Sequence, residues 1–178
     1  MKGRGGSEDR GGEPLRARLP LLDRLIDDAP DRPRDPPFSA AQLVAALEAG
    51  LRRDLEALLN AHRRWRSWPE AYGELKVSPV AWGISDFTAG AFNEPRHREE
   101  LRAEVEAAIR RFERRLVRVR VSLIAATDPL SSTLRLRIDG LLRVEPEPEP
   151  VAFDTLIDAA TAGVEIRANA ARPLFDDV

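Results

Sequence analysis

The stretch Phe112-Glu113-Arg114-Arg115-Leu116 decides the fold, because the hydrophobic pattern changes from helical to extended within it. Before it, apolar residues recur at the spacing of one helix face: Leu101, Val105, Ile109, Phe112 and Leu116. After it, apolar and polar residues alternate as in a half-buried strand: Val117, Arg118, Val119, Arg120 and Val121. The sequence therefore predicts a corner at residues 112–116, where a helix runs into a strand.

Two long helices are predicted on the amino-terminal side of this corner. Ser39 and Gln42 have the spacing of a capping box, and the helix that they open should run to about Asn60 or His62. Its leucines share one face: Leu43, Leu47, Leu51, Leu55 and Leu58. A second helix should begin near Pro95 and end at the corner. Residues 67–95, which are apolar but interrupted by Gly and Pro, predict a folded connection with short helical turns.

The rest of the domain predicts a β-sheet. Residues 116–125 and 133–144 alternate and are joined by turn-forming residues, as in an antiparallel hairpin. Residues 145–150, Glu-Pro-Glu-Pro-Glu-Pro, predict an extended acidic spacer that forms neither helix nor interior strand. A shorter strand pair follows at residues 151–157 and 164–167. The expected fold class is α+β, with two long helices packed on a mainly antiparallel β-sheet and an extended N-terminal arm.

The chain divides by composition into four parts. Residues 1–14 have too little apolar surface to fold and predict a disordered leader. Residues 15–38 predict a docking arm, in which an apolar segment is followed by a Pro-rich linker; it could dock on its own domain or on a partner. Residues 39–168 form the predicted domain, and residues 169–178 predict a weakly ordered tail.

Composition narrows the possible functions. The 28 basic and 30 acidic residues nearly cancel, which argues against a general affinity for nucleic acid. The absence of cysteine excludes disulfides and thiolate metal sites, and the two histidines, His62 and His97, lack further His or Cys at ligand spacing. We therefore expect no metal and no cofactor. With neither a signal peptide nor a long apolar run, the chain is expected to be cytoplasmic.

Catalysis is not expected either. The sequence has no nucleophile elbow and no phosphate-binding loop between a strand and a helix. Glu113 has the most distinctive surroundings of the acids, but its flanking arginines favour the ionised form, which is the opposite of what a general acid requires. Residues 63–68, Arg-Arg-Trp-Arg-Ser-Trp, could stack on bases, end a helix or lie in a protein interface.

The Glu113–Arg115 pair leaves two interpretations open. It could be an internal bridge that fixes the corner, or its members could reach helices of partner subunits. Burial decides its importance, because an exposed pair contributes at most about 1 kcal/mol, whereas breaking a buried one costs about 3–5 kcal/mol.

Several motifs, in this order, resemble the contractile-tail baseplate wedge family, which includes the TssE-type subunits of type VI secretion. Residues 21–25, Leu-Leu-Asp-Arg-Leu, resemble its amino-terminal Leu-x-Asp-Arg-Leu element, and residues 52–60, Arg-Arg-Asp-Leu-Glu-Ala-Leu-Leu-Asn, are similar to one of its helices. Ser78, Gly83 and Asp86-Phe87 match a third motif, with Trp82 in place of the usual Tyr, and Phe153-Asp154-Thr155 matches a strand. Residues 112–116 resemble its Phe-Glu-Pro-Arg-Leu signature, although Arg114 replaces the proline. Glu94-Pro95-Arg96 is a second Glu-Pro-Arg that opens a helix instead.

The resemblance implies a structural role in assembly. The protein would be a structural subunit of a type VI secretion baseplate wedge that contacts TssF- and TssG-type wedge subunits and helps to seat a TssB/TssC-type sheath. Its partner interface would include Glu113, Arg115, Asp23, Arg24 and Leu25, and its structural residues would be Phe112, Leu116, Gly83 and Asp86. The family has carried a lysozyme-like label, which these residues do not support. The alternative is a related anti-adaptor-like binding module that sequesters one protein partner.

Overall fold

The computed structural model describes residues 17–26, 30–31, 37–63, 69–87, 92, 94–124, 133–169 and 175. The predicted leader, most of the Pro-rich linker, residues 64–68, the hairpin turn and most of the tail lie outside the described residues. The described parts nevertheless include the corner, both predicted long helices and the predicted strands except for residue 125.

The helices begin and end close to the predicted positions. They are α1 (Leu21–Leu25), α2 (Ala40–Asn60) and α3 (Pro95–Phe112), and two 3-10 helices, Glu70–Val77 and Pro79–Ala81, lie between α2 and α3. The capping box of α2 is present: the Gln42 N–H donates to Ser39 Oγ at 3.3 Å, and the Ser39 N–H donates to Gln42 Oε1 at 2.9 Å. The two long helices, α2 and α3, are present as expected, but the described part of the chain also forms three short helices: α1 and the two 3-10 helices.

The sheet has four antiparallel strands in the order β1 (Leu116–Leu123), β2 (Thr133–Leu142), β3 (Glu149–Asp158) and β4 (Gly163–Ala168). This confirms an α+β fold. One expectation was wrong: Glu149 and Pro150, the end of the expected spacer, already belong to β3. Proline is tolerated there because β3 pairs only with β2 at Pro150, opposite Leu141, and β4 joins from Phe153 onwards.

The two longer helices cover one face of the sheet. Helix α3 packs on β1 and α2 packs on β4, so each helix lies over one edge strand. Fully buried side chains of the helices meet those of the strands, among them Leu51, Leu55, Val105, Ile109, Ile138 and Ile166. Each such side chain contributes about 1.5–3 kcal/mol by its removal from water.

Gly83 lies in the connection that precedes α3, where its backbone packs closely against the end of α2. Its φ is +101°, and a Cβ at this position would clash with the Ala61 carbonyl oxygen. The close approach allows the Ile84 N–H to donate to Ala61 O at 3.0 Å and the Arg63 N–H to donate to Ile84 O at 2.8 Å. The role predicted for Gly83 thus has a physical basis in backbone geometry.

We predict that Gly83→Ala destabilises the domain by at least about 1–3 kcal/mol, because a side chain at this φ is strained and the Ala61 contact must also open. Gly73→Ala is the matched control, since a Cβ at residue 73 meets no atom within 4 Å, and it should change stability by less than about 1 kcal/mol. The free energy of unfolding in urea measures both. Equal effects of the two substitutions would contradict the assignment.

Glu48 of α2 lies near Glu149 of β3, and burial, followed by the charge of Glu149, raises the pKa of Glu48. The folded state therefore holds the proton of Glu48 more tightly than the unfolded chain does. The ionised carboxylate makes the fold less stable once the pH exceeds the folded pKa, and this penalty is absent below the unfolded pKa.

We predict that Glu48→Gln raises the melting temperature at pH 7 and leaves it unchanged near pH 3. The gain should stay below about 1 kcal/mol because the side chain is half-exposed. Thermal unfolding at both pH values checks this, and a larger gain at pH 3 would contradict it.

Candidate functional site

The corner is built by Glu113, which ends α3, and Arg115, which turns back onto it. The Glu113 N–H still donates to Ile109 O at 2.8 Å, but its φ of −101° and ψ of 89° leave the helical region. Both the Arg115 backbone N–H, at 3.0 Å, and Nε, at 2.8 Å, donate to Glu113 Oε1, while Nη2 donates to Oε2. The structure thus forms the Glu113–Arg115 contact within one chain.

The replacement of the family's proline by Arg114 does not undo this corner. A residue before proline is restricted to extended conformations, whereas Glu113, with its ψ of 89°, lies in neither the helical nor the extended region. Arg114 itself is exposed. At this corner the carboxylate of Glu113 accepts two hydrogen bonds from Arg115 on one oxygen, and these bonds hold the turn without a proline.

Arg115 also connects the corner to α2 and to the N-terminal segment. Its Nη2 lies 2.8 Å from Asp54 Oδ2, and Asp54 Oδ1 accepts from Arg53 Nε at 3.0 Å and from Nη2 at 2.9 Å. Arg53 Nη1 in turn donates to Asp23 Oδ1 at 2.5 Å. We call these five residues, Glu113, Arg115, Asp54, Arg53 and Asp23, the ion-pair chain. It joins three segments that are distant in sequence.

The ion-pair chain is partly desolvated, so its members depend on one another. Burial lowers the pKa of the Arg115 guanidinium, but the hydrogen bonds and charges of Glu113 and Asp54 outweigh this and raise it overall. Hydrogen bonds to Asp23 and Asp54 likewise raise the pKa of Arg53. The side chain of Glu113 is only 10% exposed, and that of Asp23 only 11%. Removing one arginine would leave a carboxylate without its counter-charge in a poorly hydrated place.

Within α1 itself, the acid and not the leucines contacts the domain, while Leu19 packs against the core just before the helix. Asp23 faces α2, where Gly50 makes room for it: a Cβ on residue 50 would lie 2.6 Å from Asp23 Oδ2. The apolar side chains of Leu21, Leu22 and Leu25 are instead 65%, 56% and 72% exposed. We call Leu21, Leu22, Leu25 and the equally exposed Ile26 the leucine face. Arg24 is also exposed. Of the predicted interface residues in α1, Asp23 therefore anchors the helix, while Arg24 and Leu25 face outward.

The predicted structural residues lie around this centre. Phe112 packs edge-to-face on Trp82, with ring centroids 5.1 Å apart, and Leu116 packs against the core just before a β-bulge at Val117. Asp86 is exposed and lies in a depression between α3 and the connection. Gly83, as described above, fixes the end of α2.

Sequence analysis missed two residues of the 52–60 motif. Asp54 is the central acid of the ion-pair chain. Asn60 bonds the backbone of β4 in both directions: its Nδ2 donates to Val164 O at 2.8 Å, and its Oδ1 accepts from the Val164 N–H at 2.9 Å. The motif was identified, but its polar positions were given no individual roles, because nothing in the pattern shows which strand lies beside α2.

The described residues give little support for a nucleic-acid site, a metal site or a membrane-spanning helix. Arg63 Nη2 donates to Glu104 Oε1 at 2.8 Å, which pairs the one arginine described from residues 63–68. Within the described ranges, no cluster of three or more His, Asp and Glu side chains is placed to hold a metal ion. None of the helices described is long and apolar enough to span a lipid bilayer.

We predict that Arg115→Ala destabilises the domain by about 3 kcal/mol or more, because it leaves Glu113 buried without its partner. Arg114→Ala removes an exposed neighbour of the same type and should change stability by less than about 0.5 kcal/mol. Arg115→Lys should recover only part of the loss, since an ammonium cannot reproduce the bidentate contact. Urea unfolding of the three variants tests this; similar values for Arg115→Ala and Arg114→Ala would contradict it.

Comparison with known proteins gives one informative match. A protein-family model described as "Baseplate wedge protein gp25" matches residues 45–147. The matched range includes Arg53, Asp54, Glu113 and Arg115, while Asp23 and the last two strands lie outside it. No curated protein and no solved structure matches the chain.

Proposed function

The chain belongs to the baseplate wedge protein gp25 family, and we propose that it is the type VI secretion subunit that contacts TssF- and TssG-type wedge proteins and helps to seat the TssB/TssC-type sheath. Family membership gives a structural role in a baseplate. The partners, the sheath contact and a cytoplasmic location are the finer parts of this proposal. No catalytic step is part of it.

The observation that carries the proposal is the way in which the ion-pair chain presents the leucine face. Leu19 packs against the core just before α1, but the apolar side chains of α1 itself lie in water and gain no burial within the domain. Contiguous exposed apolar residues on a folded protein mark an interaction surface. The corner supports this surface rigidly, because Arg115 and Arg53 tie α1, α2 and the start of β1 together.

The predicted interface residues have two different roles, according to whether they are buried or exposed. Glu113, Arg115 and Asp23 are mostly enclosed, so they position the surface. Arg24 and Leu25 are exposed and can touch a partner directly. The sheath contact would use a sheet edge, where an added strand gains main-chain hydrogen bonds.

We predict that Leu25→Glu reduces recovery of wedge subunits at least about tenfold without unfolding the domain, since exposed anchor residues dominate binding energy. Val77→Glu is the matched control: Val77 is 61% exposed but lies in the connection, and its replacement should leave recovery unchanged. The measurement is affinity purification of the tagged full-length protein from its own cells, with partners quantified by mass spectrometry.

The recovered partners also separate the two candidate functions. Wedge and sheath subunits lost together in Leu25→Glu support the baseplate role. A single partner without sheath components supports the anti-adaptor-like module. Equal recovery by Leu25→Glu and Val77→Glu contradicts the leucine face as the contact surface.

A further inference from the structure

Both edges of the sheet are closed by side chains of the helix that lies over them. An edge strand normally presents unpaired N–H and C=O groups to any passing strand. On β4, Asn60 of α2 bonds both backbone groups of Val164, and Arg52 Nη1 donates to Ile166 O at 3.4 Å. Asn60 is neutral and both donates and accepts, so it mimics the peptide group of a neighbouring strand.

The edge of β1 is closed by charged residues. Arg102 Nη1 donates to Val121 O, Arg110 Nη2 donates to Val119 O, and Glu106 Oε2 accepts from the Val121 N–H, each at 3.1 Å. Glu106 also pairs with Arg102 at 2.9 Å and with Arg110 at 2.7 Å, so the three side chains form one unit on α3. We call Arg102, Glu106 and Arg110 the clasp.

The clasp consists only of charged side chains, whereas the closure of β4 also uses the neutral Asn60. Arg110 is 61% exposed and can swing into water at little cost, because water and salt replace its partners. Arg102 and Glu106 are only 21% and 17% exposed, so an incoming strand must replace their hydrogen bonds.

The surface beside the clasp is basic: Arg118 and Arg120 of β1 are exposed, and neither has an ion-pair partner among the described residues. Two apolar side chains of β1, Val117 and Leu123, are also exposed, at the ends of this edge.

We propose that β1 is a strand-docking edge held shut by the clasp, and that its occupant is an extended acidic segment of a sheath subunit that binds by displacing Arg102, Glu106 and Arg110. The incoming backbone would take over the hydrogen bonds of Val119 and Val121. The acidic side chains would pair with the released arginines and with Arg118 and Arg120, and the apolar ones would cover Val117 and Leu123. The clasp thereby keeps the edge from pairing before assembly. This inference rests on the proposed function, whose sheath contact it makes specific.

Hydrogen exchange of the purified full-length protein tests the clasp directly. The Val121 amide should be protected although it lies on a free edge, and Glu106→Ala should make its exchange at least about tenfold faster. Glu100→Ala is the matched control on the same helix, because Glu100 pairs with Arg96, away from the strand. An unprotected Val121 amide in the wild type would overturn the clasp.

Peptide binding tests the occupant. The probe is a blocked hexapeptide of alternating Glu and Val, compared with one of alternating Lys and Val. Glu106→Ala should bind the Glu-Val peptide about tenfold more tightly than the wild type, since fewer hydrogen bonds must be broken first. Arg110→Ala, which loses the Val119 bond and one ion pair of Glu106 but leaves Glu106 on the Val121 N–H, should show a smaller gain. Neither variant should bind the Lys-Val peptide.

Two further variants identify the edge. Leu123→Pro should abolish binding to a Glu106→Ala background, because the Ile124 N–H pairs with β2 and the Leu123 N–H therefore faces the free side. Asn60→Ala opens β4 and should give no gain. Three results would each overturn the proposal. Asn60→Ala could gain as much affinity for the peptide as Glu106→Ala, Glu106→Ala could bind the peptide no more tightly than the wild type, or the wild type could dimerise through β1.

Failure of this inference is distinguishable from failure of the proposed function. Recovery of wedge and sheath subunits together with an unchanged Glu106→Ala peptide affinity would reject the clasp alone. A clasp that behaves as expected in a protein that recovers no baseplate subunit would reject the baseplate role alone.

Discussion

The contact between Arg115 and its two carboxylates is the constraint on which the arrangement of this domain depends. Helices α2 and α3 pack mainly on the sheet and touch each other little, so side chains that bridge them matter more than direct helix packing. Arg115 reaches Glu113 at the end of α3 and Asp54 in the middle of α2. Because a guanidinium presents its donors in one rigid plane, this contact limits where the corner can lie relative to α2.

The same constraint extends to the N-terminal segment. Asp54 Oδ1 accepts from Arg53, and Arg53 donates to Asp23, so charged contacts that begin at the corner reach α1 itself. Just before the helix, Leu19 packs against the hydrophobic core. Electrostatic anchoring leaves the apolar side chains of α1 free, whereas hydrophobic anchoring would have buried them. A surface that must later bind another subunit benefits from this arrangement, because its apolar area remains unused in the free protein.

The sheet edges show a second use of polar side chains. A four-stranded sheet with two free edges risks uncontrolled pairing, and here each covering helix supplies groups that occupy the edge. The neutral amide of Asn60 imitates a peptide bond, while the clasp on β1 consists only of charged side chains. The closures of the two edges therefore differ in chemistry, although side chains occupy both.

The sequence by itself determined the secondary structure and the corner. Periods of 3.6 and 2 follow directly from which side chains must leave water, so α2, α3 and the strands could be located from local pattern alone. Only the tertiary structure decided that Asp54 completes the Arg115 contact, that Asn60 and the clasp close the sheet edges, and that α1 docks by Asp23. These contacts join residues from 9 to 104 positions apart. Hydrophobic periodicity shows which face of an element is buried, but the partner of a charged side chain depends on which elements fold beside it.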